Sequence, residues 1–124
     1  MKLENGTYSV LMTPFNLDYS IDYESYDRLL NNMYESNITG VVVLGTTSES
    51  PTLNENEKVL LVKRVWQKFN GVKKVVVGIG GNNSQKTLDF ALLIKDYCDY
   101  MMITVPNYNK PSQQGMKLLS IQLI

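Results

Sequence analysis

Two short stretches of this sequence carry side chains that could do chemistry. Gly45-Thr46-Thr47 sets two hydroxyls beside several backbone N–H groups. Such a turn can hold a carboxylate through neutral hydrogen bonds. Its plainer reading is a hydroxyl-rich turn leading into a helix cap. Pro106-Asn107-Tyr108-Asn109-Lys110-Pro111-Ser112 presents a tyrosine between prolines. A phenol held in a chain of hydroxyls can relay protons, and the plainer reading is a packed loop aromatic. The sequence has no histidine and a single cysteine, Cys98. That excludes a serine-hydrolase triad of the usual kind, an internal disulfide and a cysteine-rich zinc site. Proton transfer falls to Tyr, Thr, Lys or carboxylates, and no metal or cofactor is expected. Gly78-Ile79-Gly80-Gly81-Asn82-Asn83 is not a dinucleotide fingerprint. The spacing is wrong and the stretch follows the third strand, so it reads as a tight βα turn.

The elements that must position these loops alternate. Tyr8–Met12 reads as a strand, stopped by Thr13-Pro14. A helix follows from about Asp22 to Ser36. Tyr26, Leu29, Leu30 and Met33 form its apolar stripe, Asp22 can cap it and Asn37 can close it. Gly40–Leu44 is a β-branched run that suits a strand buried on both faces. Asn54, with Glu57 three residues on, resembles a capping box and opens a helix presenting Val62, Val65, Trp66 and Phe69. Val75–Ile79 is a third strand. Ser84 caps a third helix, with Leu88, Ala91 and Leu92 inward. Tyr100–Val105 is a fourth strand, and a last helix begins near Pro111.

Strand–helix alternation of this kind gives a parallel α/β sheet. Periodicity leaves two architectures open, a doubly wound sheet or part of a (β/α)8 barrel. Both gather function at the carboxyl ends of the strands. The 124 residues carry no net charge, which argues against nucleic acid as a partner. No apolar run approaches the roughly 18 residues of a membrane span, and the N-terminus lacks a signal peptide's apolar stretch, so a cytoplasmic location is expected.

Four loops, in order, resemble those of the dihydrodipicolinate synthase and N-acetylneuraminate lyase family. They are Thr13-Pro14-Phe15; Gly45-Thr46-Thr47-x-Glu49-Ser50-x-Thr52-Leu53 with Glu57; Gly78-x-Gly80-x-Asn82; and Pro106-x-Tyr108-Asn109-Lys110-Pro111-Ser112-Gln113-x-Gly115. The resemblance covers about residues 6–115, leaves 116–124 as a divergent tail, and leans to the synthase branch through the fourth loop. It implies one domain over residues 1–124, built from the first four βα units of a (β/α)8 barrel. In the family, pyruvate bound to a lysine as a Schiff base condenses with an aldehyde. In the synthase branch the aldehyde is aspartate semialdehyde, on the route to lysine and diaminopimelate.

Carried over, Thr46 matches the relay threonine and Thr47 the hydroxyl that helps hold the pyruvate carboxylate. Tyr108 matches the relay tyrosine that reaches into a neighbouring subunit's site, which implies a homo-oligomer. Ser48 stands where the family has glycine, Asn107 replaces the first tyrosine of a pair, and Tyr97 stands where glycine closes the third helix. A whole barrel takes about 250 residues. The family's Schiff-base lysine is on the sixth strand and a second tyrosine follows the fifth, so neither is expected within these residues. Lys110 is the one lysine on the correct face, and a loop ammonium there stays charged. The chain alone is therefore expected to be inactive, with a frameshift or truncation behind the tail; sequencing the locus for the rest of the barrel in another frame tests that. Its inward face would lack a far wall, so self-association or pairing with a complementary half-barrel is expected. The alternatives are a non-catalytic remnant or binding domain, and a related 2-keto acid aldolase such as a sialic acid lyase. A receiver-like module lacks its acidic cluster after the first strand.

Overall fold

The computed structural model describes residues 4–45, 53–80 and 84–104. Strand β1 (Tyr8–Val10) leads to helix α1 (Tyr23–Glu35), β2 (Gly40–Val43), α2 (Glu55–Phe69), β3 (Lys74–Gly80), α3 (Ser84–Ile94), a single 3-10 turn (Lys95–Tyr97) and β4 (Tyr100–Thr104). The strands form one parallel sheet in the order β1-β2-β3-β4. The fourth strand is described over Tyr100–Thr104; Val105, its expected last residue, lies outside the described residues.

Local chemistry sets the helix ends. The Asp22 side chain accepts from Ser25 N at 3.0 Å and opens α1. Ser36 closes α1 in place of the expected Asn37, because its N–H and its Oγ both reach the Met33 carbonyl. At α2 the expected capping box is complete. Glu57 N donates to Asn54 Oδ1 at 2.8 Å, and Asn54 N donates to Glu57 Oε1 at 3.0 Å. Replacing Asn54 by Ala should lower stability by about 1 kcal/mol in a denaturant titration, whereas Asn54→Asp should keep most of it.

The two faces of the sheet differ. Val41, Val43, Val75, Val77 and Ile79 face the helices and are buried against Leu30, Leu61, Val65, Phe69 and Ile94. The register aligns Val10, Val42, Val76 and Tyr100 in one row on the opposite face. On that face the residues of the central strands, Val42 and Val76, are buried, while Val10 of β1 is 42% exposed and Met102 of β4 is 44% exposed. This is the inward face with no far wall among the described residues. Strand β1 ends at Val10 instead of Met12, and Met12 is 62% exposed. Leu11 N still donates to Val42 O at 2.9 Å, after which the chain leaves the sheet.

Helix α3 departs from expectation on one side. Thr87, Ala91 and Ile94 are buried, whereas Leu92 is exposed. Each helical residue turns 100°, so a stripe through 87, 91 and 94 rotates Leu92 away from the sheet. Helices α1 and α2 are clamped on the outer surface. Arg64 Nε and Nη2 bind the two carboxylate oxygens of Asp27 at 2.6 and 2.9 Å, and the guanidinium lies 4.8 Å from the Tyr23 ring centre. Hydrogen bonds from Arg64 hold the Asp27 carboxyl below the usual carboxylate value. A depressed carboxyl stabilises the fold above its unfolded pKa and loses that contribution as pH falls through its folded value. Both side chains are about half exposed, so the pair contributes ~0–1 kcal/mol. Asp27→Asn should lower the melting temperature slightly at neutral pH, and the difference from the unsubstituted chain should shrink as pH falls below the ordinary carboxylate value and vanish only below the depressed one.

Candidate functional site at the carboxyl ends of the strands

Because the strands are parallel and adjacent, their carboxyl ends open at one end of the sheet. Thr13 follows β1 there, Leu44 and Gly45 follow β2, Gly80 ends β3 and Thr104 ends β4. The β1 exit is fixed by the turn that returns to α1. Asp22 N donates to Pro14 O at 2.9 Å, Phe15 pairs with Ile21, and Asn16 N donates to Ser20 O at 2.7 Å. Asp18 accepts from Ser20 N and Ser20 Oγ, and those bonds, the side-chain one foremost, hold its carboxyl below the usual value.

The β2 exit is strained and crowded. Leu44 is buried and has φ 64, a left-handed conformation that leucine rarely adopts. Its carbonyl comes so close to Gly78 that a Cβ there would lie 2.6 Å from Leu44 O and 3.4 Å from Gly45 N. A Cβ on Gly45 would lie 3.1 Å from Val10 Cγ1 and 3.7 Å from Val42 Cγ1, both on the inward face. The left-handed Leu44 thus folds the backbone over the inner valines just before the Thr46-Thr47 pair. Backbone strain of this kind is a marker of functional sites. Gly78 lies inside β3, within the expected Val75–Ile79 strand. Glycine in the middle of an apolar strand is the sequence signal for such a close backbone approach. Gly80, with φ 145, does end the strand.

Thr13 was part of a recognisable loop but carried no assigned role in the sequence. Its side chain is buried, and its Oγ1 has no hydrogen-bond partner among the described residues. A buried hydroxyl without a partner is unusual in a folded protein. The sequence signal for it is the Thr-Pro step itself, which ends an apolar strand with a hydroxyl.

Thr46, Thr47 and Tyr108 lie outside the described residues, as do Ser48, Asn107 and Lys110. None of the described lysines lies on a strand end at this mouth, although Lys58 and Lys86 fall in the first turns of α2 and α3, which follow β2 and β3. Lys74 opens β3 at the opposite end, and Lys73 donates to the Ser36 and Ile38 carbonyls at 2.7 and 3.1 Å. Lys63 and Lys68 stack on Tyr97 and Tyr34 in the helical layer. Burial pushes the Cys98 thiol up to about 11, so it is protonated at neutral pH and a poor nucleophile.

A sequence profile of the dihydrodipicolinate synthetase family matches residues 4–119. The chain belongs to this family. It is 36% identical over 115 residues to the 4-hydroxy-tetrahydrodipicolinate synthase of Endomicrobium trichonymphae, covering 92% of this chain and 39% of that protein. It is 38% identical over 117 residues to the corresponding synthase of Oenococcus oeni, covering 92% of this chain and 40% of that protein. The fold agrees with the sequence. A dihydrodipicolinate synthase structure from Bacillus anthracis superposes with a TM-score of 0.90 at 34% identity, over 98% of this chain and 42% of that one. The 4-hydroxy-tetrahydrodipicolinate synthase of Methylacidiphilum fumariolicum gives a TM-score of 0.91 at 30% identity, over 98% and 40%. The sequence thus spans about two-fifths of the length of the synthases it matches. Its four-stranded parallel sheet is half of a family barrel, as the loop motifs led us to expect.

Proposed function

We propose that this chain supplies the hydroxyl side of a pyruvate site of the 4-hydroxy-tetrahydrodipicolinate synthase kind. Thr47 holds the pyruvate carboxylate, Thr46 relays protons, and Tyr108 extends the relay into a neighbouring subunit. The reaction served by the complete barrel condenses pyruvate with aspartate semialdehyde, in the cytoplasm, for lysine and diaminopimelate synthesis. One observation carries the reading above others: the left-handed Leu44 turns buried Gly45 over the inward valines directly before Thr46 and Thr47. A carboxylate anchored there would meet backbone N–H groups and hydroxyls instead of a charged side chain, which suits a ligand that must also be released.

A Schiff base needs a neutral amine in a dry or cationic pocket. No described lysine is buried, those nearest the mouth, Lys58 and Lys86, being in the first turns of α2 and α3, and Lys110 is a loop residue, so on this reading the 124-residue chain by itself forms no Schiff base. It then acts as a non-catalytic member that keeps the fold and part of the site. Incubating the chain with pyruvate and borohydride, followed by intact-mass measurement, tests this. An unmodified mass is expected. A covalent pyruvate adduct on any lysine would overturn the reading and make the chain a complete nucleophilic catalyst for the first step.

A further inference from the structure

We infer that Thr13 is a positioning residue of the strand-end site, whose hydroxyl anchors the turn carrying Thr46 and Thr47. The inference rests on the pyruvate reading for its consequence and on the surroundings of Thr13 for its placement. The Thr13 side chain is 6% exposed, and its Oγ1 is buried with no hydrogen-bond partner among the described residues. A threonine hydroxyl both donates and accepts, and a buried one nearly always finds a partner in a folded protein. The partner of Thr13 therefore comes from outside residues 4–45, 53–80 and 84–104.

The position of Thr13 narrows the choice. Thr13 stands three residues beyond Val10, and Gly45 stands three residues beyond Val42, the register partner of Val10. The backbone is held on both sides of Thr13, since Leu11 N donates to Val42 O at 2.9 Å and Asp22 N donates to Pro14 O at 2.9 Å. Gly45 comes over β1, because a Cβ on it would lie 3.1 Å from Val10 Cγ1. Residues 46–52, with both threonines of the site, leave the described chain at that point. They rejoin it at Leu53, which is buried in the same core cluster as Leu11 and Ile21. Both ends of the segment thus lie by the strand end that carries Thr13. The polar groups that the chain delivers there by its shortest path are those of residues 46–52. A hydroxyl fixed on a strand end orders such a turn before a ligand arrives. Preorganisation of that kind raises the affinity of a carboxylate site built from neutral donors.

Two substitutions in the full 124-residue chain test this. Thr13→Val keeps the shape and removes the hydroxyl, whereas Thr13→Ser keeps the hydroxyl. Backbone amide signals and pyruvate affinity are read for both. Thr13→Val should shift the amides of Thr46 and Thr47 while its circular dichroism stays that of the unsubstituted chain. It should weaken pyruvate binding about fivefold, the worth of one hydrogen bond. Thr13→Ser should restore both readouts. A Thr13→Val chain that melts higher, with the Thr46 and Thr47 amides unmoved, would show an idle hydroxyl and overturn the inference. Shifts confined to residues 81–83 or 105–124 would place its partner elsewhere and do the same. So would a Thr13→Ser chain that binds as weakly as Thr13→Val, since shape and not the hydroxyl would then matter. A Thr13→Val chain that fails to fold while Thr13→Ser folds would make the hydroxyl a bond of the core, against the inference. If no chain binds pyruvate, the site proposal falls, while the amide comparison still decides whether Thr13 anchors the turn.

Discussion

Phe69→Ala should leave the chain largely unfolded at room temperature, or fold it with most of its stability gone. Phe69 is the last residue of α2 and is fully buried. Its ring packs 6.1 Å from that of Tyr34 and within the cluster of Leu30, Val65 and Val75. Its carbonyl also accepts from Val72 N and Lys73 N, which hold the turn into β3. Truncating a buried phenylalanine costs about 3–5 kcal/mol through lost transfer energy and the cavity left behind. A small domain has a total of about 5–15 kcal/mol, and one with an open sheet face belongs at the low end of that range. Phe69→Leu should cost ~1.5 kcal/mol or less, because most of the volume is retained. Leu17 is fully exposed, so Leu17→Ala should leave the urea midpoint unchanged. Equal midpoints for Phe69→Ala and Leu17→Ala would show that α2 does not pack as described.

Gly78→Ala is expected to damage both stability and the mouth. The added Cβ would sit 2.6 Å from the Leu44 carbonyl oxygen, which is backbone and cannot rotate aside. Strands β2 and β3 must separate locally, next to the Val43–Val77 pair. Overpacking of this kind costs about 1–3 kcal/mol. The displaced atoms belong to Leu44 and Gly45, so the backbone leading to Thr46 moves with them. Gly71 supplies the contrast. Its φ is +77, but a Cβ there meets nothing within 4 Å. Gly71→Ala should therefore cost ~1 kcal/mol from backbone strain alone, with no change in the amide signal of Gly45. A Gly78→Ala chain with an unshifted Gly45 amide would show that the β2 exit is not held by this contact.

The strands were legible because β-branched runs such as Val41–Val43 and Val75–Val77 fit a sheet buried on both faces, and both runs form strands. The second helix start was legible because Asn54 and Glu57 at that spacing satisfy each other's backbone donors. Less of the detail was visible where tertiary contacts decide. Leu92 is apolar yet exposed, since the stripe that meets the sheet runs through Thr87, Ala91 and Ile94. A leucine in left-handed conformation has no local signature, because Leu44 is held there by its neighbours and not by its own preference. Gly78 did carry a signal, but only the position of the Leu44 carbonyl explains it. The gathering of the strand ends at one end of the sheet was legible from the strand–helix alternation, while Thr46, Thr47 and Tyr108, which the loop motifs single out, lie outside the described residues; Thr13 emerged only from its burial and its hydroxyl without a partner among the described residues.

The claim that the strand ends form a mouth for a 2-keto acid carboxylate is tested most directly by following backbone amide signals during titration with pyruvate. Shifts should concentrate at Thr13, Gly45, Gly80 and Thr104, and should be lost in Thr47→Val while the remaining spectrum is retained. Shifts gathered at the amino ends of the strands, around Tyr8, Lys74 and Tyr100, or the same shifts in Thr47→Val, would contradict the account.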